Sequence, residues 1–432
     1  MNAIIILGAG LTGLSAAYHL GGGYAIYERD GEVGGLCRTI WRGDFCFDYT
    51  GHLLHLCNDG IKQLVQELLP DAFVQHSRKA SIYTQGRLIP YPFQANIAGL
   101  PPEIVKECLI GFIETLKQET PPHEGELSFL DWALQTFGAG VAKYFMLPYN
   151  QKLWKIPLTE LGSDWVSWSI PKPTLDEFLN GALGIKNRDF GYNPTFLYPK
   201  QGGIAQLPLA FAQRLDRAAI HLNAAAVRID EEARHVYFAD GASASYRALI
   251  STLPLKTLVA MLAHAPENVR AAADRLRSVT VYDINIGVDR ADLSDQHWLY
   301  FPEPEYAFYR VGFPSNFSNT VAPPGCSSMY VEVSAFPDEY LSDEWLGEHI
   351  LDGLRRSGLL RPSDTILVWD AVRIECGYVL YDLSRSAALK TIGVYLEQRG
   401  IFSVGRYGAW EYNSMEGAIL AGKAAAEHLK NR

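Results

Sequence analysis

Three glycines at fixed spacing mark the first place where this chain could do chemistry. Gly8-Ala9-Gly10-Leu11-Thr12-Gly13 follows directly on the apolar run AIIIL, residues 3–7, and precedes a helix-forming stretch from Leu14 to Leu20. Between a strand and a helix, a G-x-G-x-x-G turn can seat a pyrophosphate. Gly8 permits the tight turn, Gly10 lets phosphate approach bare backbone, and Gly13 lets the helix pack closely on the strand. The helix then aims the positive end of its dipole at the phosphates. A second short strand, Tyr24-Ala25-Ile26-Tyr27, ends in Glu28, fifteen residues past Gly13. A carboxylate there can accept both ribose hydroxyls of an adenosine and disfavours a 2′-phosphate, which argues against NADP at this site. Gly34-Gly35 offers a second stretch of bare backbone, and Arg38 brings charge near the pyrophosphate.

The elements that must hold these residues are readable in outline. Residues 3–7 suit a buried parallel strand. Residues 197–252 carry a strand–turn–strand pattern (AIHLNAAAVRIDEE, then HVYFADGASASYRALIST), and Ile401 to Gly405 is again a strand running into glycine. A helix from Met415 to Leu429 follows, rich in alanine and glycine. Residues of about 60–185 read as mostly helical, with Ile104 to Gln118 amphipathic, and about 275–335 alternate in β fashion. At 432 residues, 48% hydrophobic and 20% charged, the chain is sized for two or three subdomains of ordinary α/β composition. A net charge of −10 argues against general affinity for nucleic acid or anionic membrane. Six cysteines form no CxxC and no metal-type pairing with histidine, so reduced thiols and no metal are expected. No apolar run reaches the roughly 20 residues of a membrane helix, and no basic n-region precedes the first strand. Cytoplasm is the expected location, without stable membrane insertion.

From Glu28 onward, Glu28-Arg29-Asp30-Gly31-Glu32-Val33-Gly34-Gly35-Leu36-Cys37-Arg38-Thr39 resembles the E-x-x-x-x-x-G-G-x-x-R-T signature of FAD enzymes related to amine oxidases and protoporphyrinogen oxidase. The resemblance implies FAD as cofactor, with contacts from Leu11, Thr12, Arg29 and Leu36 beside the glycines, Glu28 and Arg38. It further implies a backbone contact to adenine near Val227, and flavin contacts from Gly405, Arg406, Met415 and Ala418. The implied fold is α/β, a discontinuous Rossmann-type FAD-binding domain with an inserted helical domain and a β-sheet substrate domain. The expected division is 1–60, 190–272 and 395–432 for the FAD domain, 61–189 for the mostly helical insertion, and 273–394 for the substrate sheet.

A narrower resemblance recurs from about residue 45 to 425. Phe47-Asp48-Tyr49-Thr50-Gly51-His52 is similar to the F-D-x-G-G-H of UDP-galactopyranose mutases, in their eukaryotic-type branch, with Thr50 in place of the first glycine. Pro90-Tyr91-Pro92-Phe93-Gln94, Pro148-Tyr149-Asn150-Gln151-Lys152-Leu153-Trp154, Trp298-Leu299-Tyr300-Phe301-Pro302, Phe308-Tyr309-Arg310, Gly377-Tyr378 and Gly405 to Tyr412 extend the likeness. It implies a nucleotide-sugar substrate. Tyr91, Phe93 and Gln94 would take uridine, Asn150 and Trp154 would lie near the sugar, and Arg310, Tyr300, Tyr378 and Tyr412 would hold the diphosphate. His52 would sit over the flavin and respond to its redox state, with Arg406 against the ring. The implied reaction is a redox-neutral pyranose–furanose ring isomerisation in which N5 of reduced flavin attacks the anomeric carbon. Reduction would come from an external donor such as NADPH or NADH. Ser169 stands where the family carries a second arginine, and nearby Lys172 offers a point charge where an arginine offers a fork. The alternative is an FAD oxidase or dehydrogenase of the amine oxidase or protoporphyrinogen oxidase type, whose ending the run Asn413 to Ala418 resembles.

Overall fold

The computed structural model describes residues 3–117, 127–166, 170–185 and 194–431. Its first strand, Ala3–Leu7, runs parallel to Tyr24–Tyr27 on one side and to the second half of Ser243–Ser251 on the other. Leu249 to Ser251 also pair in parallel with Ile401–Ser403 on their far side. Ile220–His221, Ala226–Asp230 and His235–Phe238 complete a seven-stranded sheet drawn from distant parts of the chain. Ile4 to Leu7 and Ala248 to Ile250 are all buried, as parallel strands covered on both faces must be. The first helix, Leu11–Leu20, lies against the last, Met415–Lys430. Their approach is close at Gly422, where a Cβ would stand 2.3 Å from the Thr12 carbonyl oxygen, and Ser15 Oγ donates to the Ile419 carbonyl at 2.7 Å.

A second seven-stranded sheet takes the order Ile366–Val379, Ser278–Val288, Ser327–Ala335, Arg310–Gly312, Trp298–Tyr300, Ala80–Thr84, Arg87–Pro90. One of its faces buries Ile284, Ile286, Met329 and Val331 against Leu346, Ile350 and Leu354 of the helix Asp343–Arg356. By the two-residue period of a strand, Asp283, Asn285, Tyr330 and Glu332 face the other way. All four are buried, so this second face is polar yet shielded from bulk solvent.

The stretch expected to be mostly helical opens with the helix Asp59–Leu68 and then carries three strands, Phe73–Ser77, Ala80–Thr84 and Arg87–Pro90, of which the last two extend the second sheet. They turn at Gln85-Gly86, with φ of 53° and 67°, the paired left-handed geometry that suits a two-residue hairpin. Helices then follow at Pro102–Thr115, Phe129–Val141, Leu147–Trp154 and Leu175–Leu183. The first starts on Pro101-Pro102 and stops three residues short of the expected Gln118. No helix of the described residues is long and apolar enough to cross a membrane.

Candidate functional site

Backbone geometry makes the glycine turn a cradle. Gly8 has φ 98°, and a Cβ there would stand 2.3 Å from the Thr252 hydroxyl. A Cβ on Gly13 would lie 2.0 Å from the Gly8 carbonyl oxygen, so the helix can begin this close to the strand only without one. Gly10 meets the second glycine pair: the Gly34 N–H donates to the Ala9 carbonyl at 2.9 Å, and a Cβ on Gly35 would lie 3.2 Å from the Gly10 Cα. Buried Glu28 is held by two backbone donors, Ala9 N–H at 2.7 Å and Asp30 N–H at 3.1 Å. Each oxygen keeps a further lone pair for a hydroxyl. Arg38 donates to the Gly35 carbonyl at 2.7 Å and to Asp30 at 2.8 Å, which fixes its charge over the turn. A dinucleotide pyrophosphate fits this cradle of bare backbone, helix N-terminus and anchored acid.

The other expected cofactor residues lie at several points around it. Leu11 and Thr12 are buried in the first turn of the helix, and a Cβ on Gly405 would meet the Thr12 side chain at 2.5 Å. Met415 begins the last helix, whose N-cap Ser414 accepts from Gly417 N–H at 3.1 Å, and Ala418 N–H bonds the Ser414 carbonyl. Leu36 is half-buried. Arg29 is exposed and faces Asp30 at 3.7 Å, and Val227 is exposed at an irregularity in its strand pairing.

His52 lies on the loop after the Phe45–Asp48 strand. That loop is anchored at Asp48, whose carboxylate accepts from the Thr39 and Tyr198 hydroxyls, both at 2.6 Å, and from Ile204 N–H at 3.0 Å. Burial pushes Asp48 up to about 6 against the pull of those bonds. Thr50, standing for the family's glycine, has φ 65°, a left-handed conformation costly for a β-branched residue. Its N–H donates to Asp283 Oδ2 at 2.8 Å. The His52 Nδ1 is buried without a hydrogen-bond partner among the described residues. Burial, and then the Arg406 charge, hold its pKa down to about 4, so the imidazole is neutral near pH 7. Arg406 itself donates to the Asn413 carbonyl at 2.9 Å and lies 4.4 Å from the Tyr412 ring centre.

Across the polar face of the second sheet, four residues stand in one register row: Tyr300 opposite Arg310, Arg310 opposite Glu332, and Glu332 opposite Asp283. The Arg310 guanidinium is 3.4 Å from Glu332 Oε1 and 5.4 Å from the Tyr300 ring centre. Tyr300 meets Tyr91 at 5.2 Å and Tyr149 at 5.4 Å. Tyr378 stacks on Tyr412 at 5.6 Å and meets Trp154 edge-on at 5.7 Å. Burial pushes the phenols of Tyr91, Tyr149 and Tyr378 up, so they remain protonated donors. Arg310, Arg406 and these phenols form a set able to hold a diphosphate by hydrogen bonds without a large excess of positive charge.

Three expected ligands point inward. Phe93 is wholly buried and stacks on Phe145 at 5.3 Å, Gln94 donates to the Pro171 carbonyl at 2.6 Å, and Asn150 donates to the Met146 carbonyl while accepting from the Trp154 indole. The Gln94 Oε1 has no hydrogen-bond partner among the described residues. Ser169 lies outside the described residues, and Lys172 Nζ sits 5.7 Å from the Trp132 ring centre. Sequence reasoning missed Asp48, Lys152, Asp283 and Glu332. A carboxylate inside an otherwise apolar strand, as in VTVYDINIGV and MYVEVSAF, was the available signal for the last two.

A sequence profile of flavin containing amine oxidoreductases matches residues 11–430. A crystal structure of reduced UDP-galactopyranose mutase is 30% identical and has a TM-score of 0.94, covering 100% of this chain and 94% of that one. Putrescine oxidase bound to putrescine is 17% identical, with a TM-score of 0.70, covering 100% of this chain and 99% of its own. Cyclohexylamine oxidase from Brevibacterium oxydans IH-35A is 15% identical, with a TM-score of 0.69 and the same coverage. At these identities the oxidases share the fold alone.

Proposed function

The chain belongs to the UDP-galactopyranose mutase family within the flavin-containing amine oxidoreductases, and from that premise we propose that it interconverts the pyranose and furanose forms of a UDP-galactose-type nucleotide sugar. FAD is its cofactor. When bound and reduced, by an external donor such as NADPH or NADH, FAD supplies a nucleophilic N5 for the anomeric carbon.

The observation that carries this reading is the joined set of Arg310, Tyr300, Tyr378 and Tyr412 beside Arg406 and His52. Arg310 meets the growing charge on the departing diphosphate with ionic hydrogen bonds, and the phenols add neutral ones. These residues are half-buried, so each such bond counts for more than it would in bulk water. Neutral His52 can orient a polar edge of the flavin without adding charge. Tyr91 takes the uridine, with Phe93 and Gln94 packed behind it. Asn150 and Trp154 shape the sugar side. Six free cysteines and a net charge of −10 support a cytoplasmic place for the enzyme.

The test is to reduce the FAD-loaded protein with dithionite under argon and titrate UDP and UDP-galactose, following flavin absorbance and then the ring form of the sugar. Saturable binding of UDP with a changed ring form and no net oxidation supports the reading. No response to either ligand overturns it, and oxygen consumption with an amine or apolar substrate replaces it with the oxidase alternative.

A further inference from the structure

We propose that Asp283 and Glu332 hold one proton between them, resident on Asp283, and that this neutral acid positions both Arg310 and the Thr50–His52 loop. The two residues face each other directly across paired strands, and both are fully buried. Side chains in that relation lie about 5 Å apart at Cβ. Each carboxyl uses one oxygen: Asp283 Oδ2 accepts from Thr50 N–H at 2.8 Å, and Glu332 Oε1 faces Arg310 at 3.4 Å. The other two, Asp283 Oδ1 and Glu332 Oε2, have no hydrogen-bond partner among the described residues, although the Tyr309 phenol lies against Glu332. A proton on the Asp283 carboxyl would supply a donor between the two.

The charges around the pair point the same way. The charges of Asp48 and Asp370 act on Asp283, the Tyr330 phenol lies near both carboxyls, and the Tyr149, Tyr309 and Tyr378 phenols lie near Glu332; Asp370 is already taken by Arg42 at 2.7 Å. Arg310 is the cation that the pair itself engages, through Glu332. Two ionised carboxylates against one guanidinium would leave surplus negative charge where a diphosphate must sit, and carboxylates that share a buried site keep one proton. Burial, and then the Glu332 charge, push the Asp283 carboxyl well up. Glu332 is thereby free to keep its full charge for Arg310, while Asp283 keeps a lone pair for the loop that carries His52. Asp283 is a positioning residue: it acts through Arg310 and the loop. The role of Arg310 toward diphosphate rests on the reading proposed above, but the shared proton does not.

Infrared difference spectra between wild type and Asp283→Asn, both FAD-loaded and oxidised, test the proton directly. A protonated-carboxyl band present in wild type and absent from the variant is expected, and no such band overturns the proposal. UDP titrations test the positioning. Asp283→Leu and Glu332→Gln should each weaken UDP by about ten-fold or more. Asp283→Asn, which keeps an acceptor for Thr50 and a donor for Glu332, should restore most of what leucine loses. Wild-type affinity should fall at alkaline pH as the proton leaves, and Asp283→Asn should lack that limb. An asparagine variant that fails to fold, or binds UDP as poorly as the leucine one, shows that the ionised acid is needed and overturns the proposal. Absence of UDP binding in wild type would fell the diphosphate reading, leaving the infrared band to decide the shared proton.

Discussion

Replacing Lys152 with methionine is expected to loosen the connection that carries Tyr300 at one end and Arg310 at the other. Lys152 Nζ, on the helix Leu147–Trp154, donates to the carbonyls of Phe301 at 2.7 Å, Glu303 at 2.5 Å and Phe308 at 3.1 Å. Only an ammonium can serve three acceptors at once. Burial opposes it, pulling the pKa from 10.5 toward about 7, which corresponds to ~5 kcal/mol. Three charge-assisted bonds at about 2 kcal/mol each offset that cost, so the lysine itself is near balance. Methionine keeps the stem but strands the Phe301 and Phe308 carbonyls at about 1 kcal/mol each, for a destabilisation of about 2 kcal/mol, while the Glu303 carbonyl keeps the Tyr306 N–H. A melting series should show a drop of about 2 °C, and a UDP titration a weaker complex. The pH dependence separates the two effects. Were burial to win, the unfolded chain would hold a proton that the folded one lacks between pH 7 and 10.5, and wild type alone would gain stability across that window. With the ammonium held by its carbonyls, the gap between wild type and variant stays level. Melting within about 0.5 kcal/mol of wild type, together with unchanged UDP affinity, would refute the reasoning.

Gly13→Ala should yield protein with little bound flavin, because its Cβ would stand 2.0 Å from the Gly8 carbonyl oxygen; absorbance per mole of protein checks this, and normal flavin content would refute it. Arg310→Ala should weaken UDP by roughly 10- to 100-fold and Tyr300→Phe by about five-fold, by calorimetry, as a charged and a neutral donor are lost. The His52 pKa is lowered from 6.5 to about 4, so its contribution to stability is full above pH 6.5 and is lost as pH falls through 4. His52→Phe should therefore hold its melting temperature better than wild type over that interval. Thr50→Gly should stabilise the protein by about 0.5–1 kcal/mol, read from thermal melts, by relieving the φ of 65°.

Legibility in the sequence followed the range of the interactions. The cradle was readable because its glycines, strand and helix are consecutive, and Tyr24–Tyr27 falls where the sequence places it. The hairpin Ala80–Pro90 was hidden by its shortness within a helix-rich stretch, although Gln85-Gly86 carried a turn signal. Phe93 and Gln94 matched a motif, but a motif does not tell which way a side chain turns after Pro92. Asp283 and Glu332 are forty-nine residues apart, and only strand register makes them a pair. Lys152 stood inside a recognised motif, yet its three acceptors lie near residues 301–308.

The placement of Ser243–Ser251 between Ala3–Leu7 and Ile401–Ser403 has a consequence for how the protein is made. The phosphate turn leaves the ribosome nearly four hundred residues before the strand Ile401–Ser403 and the helix that seals against Gly13 to Ala17. Closing so long a span is slow, and until it closes a hydrophobic strand edge and helix flank stay open to other chains. A chain ended before Ile401 would lack that strand and helix while keeping every residue of the glycine turn.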